Sequence, residues 1–269
     1  MSDLTKELWN RFGALTYDDL PSDVVASAAH SVLDWFGCAI AGSREPLAGI
    51  LRDEFTDDDG PCSIVGSQRR AGVLRAGLVN GATGHALDFD DTSTAMGGHP
   101  TAPMLPAVLA VSEEQHRSGG DVLTAYVVGM EVQSRIGTSI GTDHYAKGWH
   151  TTSTIGVFGA AAATAWLLGL DNDGFAAAMG IAASNASGVK ANFGTMTKPL
   201  HPGQAAERGA MAGRLAARGY TAAGDAVDGN QSFAQAAGNG SLDSERIGRL
   251  DGVWAVSYTH LTLPTTPYV

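Results

Sequence analysis

Apolar positions recur at helical spacing along most of this chain. Pro21-Ser22-Asp23 opens a run in which Val24, Val25, Ala28, Val32, Leu33, Phe36 and Ile40 fall along a helix, closed by Gly42; this predicts one capped amphipathic helix. Residues 4–15 predict a shorter one. The same spacing predicts helices over 69–83, 106–116, 121–136, 155–168, 174–186 and 202–218, with Asp121 as an N-cap and Gly219 as the glycine just past a helix end. Those from 155 onward are rich in Ala and suit close helix-on-helix packing. Between Leu47 and Gly72 the pattern turns polar, with DDDGP at 57–61 marking a loop and 62–65 a short extended piece. Strand-like alternation is nearly absent and no repeat period emerges, so the fold class expected is all-α, a large multi-helix domain.

Composition narrows the picture. With 269 residues, 44% of them hydrophobic, the chain can bury a substantial core. A net charge of -11 without any Lys/Arg stripe argues against nucleic acid as a partner. Cys38 and Cys62 match no metal spacing, and Cys38 sits in an apolar pattern that suits a buried thiol. The N-terminus, MSDLTKELWNRF, lacks the layout of a secretory signal, so a cytoplasmic location is expected. Residues 148–170 carry no charge when His150 is neutral, but their Ala/Gly/Thr content predicts a core helix rather than a membrane span. Residues 256–269 (VSYTHLTLPTTPYV) contain no Lys, Arg, Asp or Glu and read as a non-native tail of vector or adaptor origin, with a genuine irregular tail as the alternative; residues 1–255 are then the helical domain.

The candidate chemistry is gathered in three stretches. They are HALDFDDTSTAMGGHP from His85, KGWH ending at His150, and TMTKPLHPG, which holds Met196, Lys198 and His201. Three of the four lysines and five of the eight histidines lie between His99 and His201, which in an acidic chain predicts a local cationic pocket for an anionic small molecule. On a helix, His85, Asp88 and either Asp91 or Thr92 would share one face. Such a cluster could hold a divalent cation or could orient His99 and hydrogen-bond a substrate. The aspartate-rich helices of isoprenoid synthases are the nearest metal-binding comparison, but DFDDT lacks their second aspartate and no partner cluster is found downstream. His150 opens a very apolar stretch, where a charged partner would be desolvated. Lys198 and His201 flank Pro199, which predicts a non-helical presentation of both, with Pro202-Gly203 opening the next helix and offering free N–H groups to an anion. Taken singly, each motif is equally compatible with a solvated helix end, a structural histidine or an exposed turn.

Taken in order, HALDFDDT, GHP, KGWH-TT before an Ala-rich helix, and GTMTKPLHPGQAAERGAMAGRLAARGYT resemble the MmgE/PrpD family, over nearly all of residues 5–255. That family includes 2-methylcitrate dehydratase and cis-aconitate decarboxylase. The resemblance implies a large helical domain beside a smaller α/β domain, which is missing from this chain, a homodimer, and no metal or organic cofactor. It places His99, His150 and Lys198 at catalytic positions and Asp88, Thr92, Met196 and His201 at substrate-binding ones. The function it implies is a cofactor-independent lyase for a small di- or tricarboxylic acid. Dehydration of a 2-methylcitrate-like substrate is expected first; cis-aconitate-type decarboxylation and an inactive, self-associating truncated scaffold are the alternatives. Two departures stand out. The spacer from Thr92 to His99 is a residue longer than in the decarboxylase, and the family's later Lys-x-Tyr-Pro-like segment is absent.

Overall fold

The computed structural model describes residues 3–56, 59–240, 242 and 252–261, and among them the regular secondary structure is almost entirely helical. The helices are α1 (Asp3–Phe12), α2 (Ser22–Gly42), α3 (Pro46–Phe55), α4 (Val73–Gly84), α5 (Leu105–Glu114), α6 (Gly119–Ile140), α7 (Thr142–Ala146), α8 (Thr151–Thr154), α9 (Gly156–Leu167), α10 (Asn172–Asn185), α11 (Thr197–Ala216) and α12 (Phe233–Ala237). Two short antiparallel pairs complete the order. In the first, β1 (Cys62–Ser63) lies against β2 (Arg70–Ala71); in the second, β3 (Thr92–Ser93) lies against β4 (Thr259–His260).

At the centre, α6 and α9 pack on each other and carry little that faces water. Helix α9 is apolar all round, as a helix surrounded by protein must be, and its neighbours are α5, α6, α10 and α11. Within α6 the buried Arg135 pairs with Glu131 one turn earlier, which keeps two charges tolerable in the core. Arg135 also lies over the Phe12 ring, and Glu131 accepts the Ala255 N–H at 2.6 Å. The chain thus returns to the core at Ala255 and Val256, both buried, and β4 comes directly after. Of the tail expected from 256 onward, Val256 is buried, Thr259 and His260 pair with β3, Ser257, Tyr258 and Leu261 are exposed, and 262–269 lie outside the described residues.

Several boundaries differ from the pattern-based expectation. Helix α3 arises in the polar stretch after Leu47, because Pro46 opens it and a short inner face, Leu47 and Ala48, suffices to bury it. Helix α6 is capped by Ser118 rather than Asp121; the two form a reciprocal capping box, with the Asp121 N–H donating to Ser118 Oγ at 3.1 Å. The uncharged stretch 148–170 is broken at Ile155 into α8 and α9, each shorter than a membrane span. Helix α2 is long and apolar enough to cross a membrane by length and composition; here its Val24, Ala28, Trp35 and Ala39 face the core.

The crossing of α4 with α11 positions the cavity. Gly81 and Gly203 meet there, and a Cβ on Gly203 would stand 2.3 Å from the Leu78 carbonyl. Bare backbone at this point lets the C-terminal end of α4 and the N-terminal turns of α11 come together.

Candidate active site

Helix α4 ends at Gly84, and the residues after it leave the helical path. His85 is its C-cap, and Asp88 adopts a left-handed backbone conformation with φ of 58°, which Asp tolerates better than most residues. The shared helical face expected for His85, Asp88 and Asp91 or Thr92 therefore does not form. Instead the chain folds back, and Asp90 comes to lie beneath His85. Its fully buried carboxylate receives His85 Nδ1 at 2.8 Å and 3.0 Å and stands 3.3 Å from His99 Nδ1, which also reaches the Asp90 backbone carbonyl at 3.1 Å.

The far wall comes from α8 and α11. His150 is the N-cap of α8 and is buried; its Nδ1 lies 3.0 Å from Nδ1 of the equally buried His201. Helix α11 starts at Thr197, so Lys198, Pro199, His201 and Pro202 all sit inside it, against the expectation that prolines would hold this stretch out of a helix. Pro199 falls in the first turn, where no N–H is required, and Pro202 merely leaves the Lys198 carbonyl without its helical donor. Lys198 Nζ crosses to the opposite wall and pairs with the Asp88 carboxylate.

His99, His150, Lys198, Asp88 and Met196 all line one cavity of about 1440 Å³, together with His85, Thr151, Thr152 and Phe193. Thr92 is outside the lining, held in β3 opposite His260; His201 stands behind His150 as its hydrogen-bond partner. Two residues of the cluster lie inside HALDFDDT yet were given no site role by the resemblance: Asp90 and, among the histidines, His85. Their signal was weak because a spacing of five is meaningless on a helix and becomes contact only once Asp88 reverses the chain.

The electrostatics divide the imidazoles. Burial works against charge on His99, but Asp90 and then Asp88 outweigh it and raise its pKa to about 9, so this ring is a cation at neutral pH. For His150, burial dominates, and nearby His85, His201 and Lys198 add to it; the pKa falls to about 2 and the ring is neutral. His201 and His85 are also lowered, first by burial. Burial opposes ionisation of Asp90 as well, yet His85 and His99 prevail and hold its carboxyl below the ordinary range. Asp91, facing Thr101 at 2.6 Å instead of a cation, is pushed up to about 7 by burial.

Ligand atoms of His85, Asp88, Asp90 and His99 lie within 4.8 Å of one another, close enough to surround a cation. Their charges are already matched, however: Asp90 faces two Nδ1 atoms and Asp88 holds the Lys198 ammonium. A divalent ion placed among them would be opposed by Lys198 and by protonated His99, so the donor set fits an ion-pair network rather than a metal centre.

Fold and site together define an all-helical domain with an open, imidazole-lined cavity carrying two cationic groups. The MmgE/PrpD N-terminal domain model matches residues 7–245, and the chain belongs to the MmgE/PrpD family. Among curated relatives, the cis-aconitate decarboxylase of Aspergillus terreus is 36% identical over 230 residues, covering 82% of this chain and 47% of the relative. The human cis-aconitate decarboxylase is 37% identical over 233 residues, 81% of this chain and 47% of its own length. The cis-aconitate decarboxylase-like protein oryM of Aspergillus oryzae is 36% identical over 228 residues, 81% and 47% respectively. The chain spans about half the length of these relatives.

Proposed function

We propose that this cavity binds a small tricarboxylate of the cis-aconitate type and serves its decarboxylation. The carrying observation is that two cations, Lys198 and protonated His99, line the same cavity as a His150 held neutral. The relatives' names favour decarboxylation over the dehydration of a 2-methylcitrate-like acid that the motifs suggested first.

In this reading Lys198 exchanges its Asp88 partner for a substrate carboxylate, and His99 sits where negative charge develops. Loss of CO₂ breaks a carbon–carbon bond whose electron pair spreads into the adjacent alkene. Protonated His99 supplies the proton that quenches this carbanion and regains one from solvent, to which 16% of its side chain is open. His150 contributes a neutral hydrogen-bonding group that adds no competing charge. Dehydration would make a further demand, a base to take a proton from carbon, which His150 with its pKa of about 2 meets poorly.

The test is to add cis-aconitate or 2-methylcitrate to the protein while following CO₂, alkene signals and the histidine ring resonances by NMR. Expected are CO₂ release from cis-aconitate and shifts of the His99 and His150 rings. Alkene formation from 2-methylcitrate without CO₂ from cis-aconitate would move the assignment to dehydration. If neither acid perturbs those rings at millimolar concentration, the carboxylate reading falls.

A further inference from the structure

We propose that Asp90 is the positioning residue of this cavity: one buried carboxylate engages Nδ1 of both His85 and His99 and so decides which nitrogen of each ring faces the ligand. The inference rests on the acid–base reading above only for its effect on turnover, since the state of each ring can be measured without substrate.

The geometry carries it. An ionised carboxylate only accepts hydrogen bonds, so each Nδ1 that faces Asp90 must bear a proton. His85 Nδ1 has both Asp90 oxygens within 3.0 Å, and His99 Nδ1 has a side-chain oxygen at 3.3 Å and the Asp90 main-chain carbonyl at 3.1 Å. With its proton on Nδ1, neutral His85 presents a lone pair at Nε2. That atom is buried and makes no hydrogen bond among the described residues, with Asp88 Oδ1 3.7 Å away, so it is the Asp90 contact at Nδ1 that fixes the tautomer. His99 Nε2 points the other way chemically: it lies 3.4 Å from Asp88 Oδ1 and carries a transferable proton. The two rings meet edge to face at 4.6 Å between centroids, so a change in one is felt by the other.

The charged groups around this arrangement are few and identifiable. His99 faces Asp88, Asp90, His85 and, from α11, Lys198. Asp90 also feels Asp34 of α2 and its neighbour Asp91. Among these, Asp90 is the carboxylate closest to both rings at once. An Asn at this position would remove the negative charge and one acceptor oxygen, leaving His99 Nδ1–H the main-chain carbonyl but no buried carboxylate to hold the ring's second proton.

Two-bond ¹H–¹⁵N spectra of the histidine rings, assigned with single His→Gln variants, test this directly. In the wild-type protein at neutral pH, His85 is expected as the neutral Nδ1–H tautomer and His99 as doubly protonated, titrating at about 9. In Asp90→Asn, His99 should titrate lower by ~2 pH units, and the alkaline limb of any pH–turnover profile should move down with it. Asp90→Glu, which keeps the charge, should recover part of that shift. A wild-type His85 in the Nε2–H tautomer, a wild-type His99 neutral at neutral pH, or ring states unchanged in Asp90→Asn would each overturn the proposal. If Asp90→Asn does not fold, the wild-type spectra decide alone. Ring states as stated in a protein that ignores cis-aconitate would retain Asp90 and remove the decarboxylase reading.

Discussion

The two walls of the cavity use the same side chain to opposite ends. On the wall just past α4, His99 has two carboxylates beside it and holds its proton to a pKa of about 9. On the wall formed by α8 and α11, His150 has another imidazole as its partner and cationic groups nearby, and its pKa drops to about 2. Burial penalises charge on both. What separates them is whether carboxylates stand close enough to outweigh that penalty, so the charge states of the two rings follow from Asp90 and Asp88 rather than from the histidines themselves.

This contrast can be broken most severely at the ligand. Lys198→Met and His150→Gln should each lower turnover of cis-aconitate by on the order of 10² or more, and near wild-type rates in both would remove the functional meaning of the two walls. Next in size is the crossing that brings the walls together. Gly203→Val places a Cβ against the Leu78 carbonyl and should cost about 1–3 kcal/mol, read as a lowered melting temperature with weaker contacts between the His85 and His150 rings.

The pH dependence of stability sharpens the comparison further. His99 keeps its proton to about 9 when folded and loses it near 6.5 when unfolded, so its stabilisation is complete below 6.5 and disappears as pH rises through 9. His150 acts in the reverse sense: the unfolded chain takes a proton near 6.5 that the folded one refuses until about 2, so stability falls on acidification. Melts across this range should show His99→Gln flattening the alkaline side and His150→Gln the acid side. The smallest effect is expected at the margin. Ending the chain after Tyr258 removes the Thr92–Ser93 pairing with Thr259–His260 and should cost about 1 kcal/mol, leaving the His99 titration in place.

Much of the architecture was legible from periodicity, because long helices such as α2, α6 and α10 repeat their apolar positions often enough to average out local exceptions. Short elements were not. Helix α3 buries only Leu47 and Ala48, and α7, α8 and α12 are each a turn or so, too brief for a period to show. The start of α11 was misplaced because prolines read as helix breakers, whereas Pro199 sits in a first turn that needs no N–H.

At the site, motif order was enough to nominate His99, His150, Lys198, Asp88 and Met196, which line one cavity although they are far apart in the chain. It set Asp90 aside, since helical spacing directs attention to positions three and four apart. The sequence alone settled which residue types were available and that the chain would be helical, because composition and apolar period are local properties. Only the tertiary structure decided which imidazole is charged, because proton affinity depends on burial and on which carboxylate the folded backbone delivers to within hydrogen-bond reach.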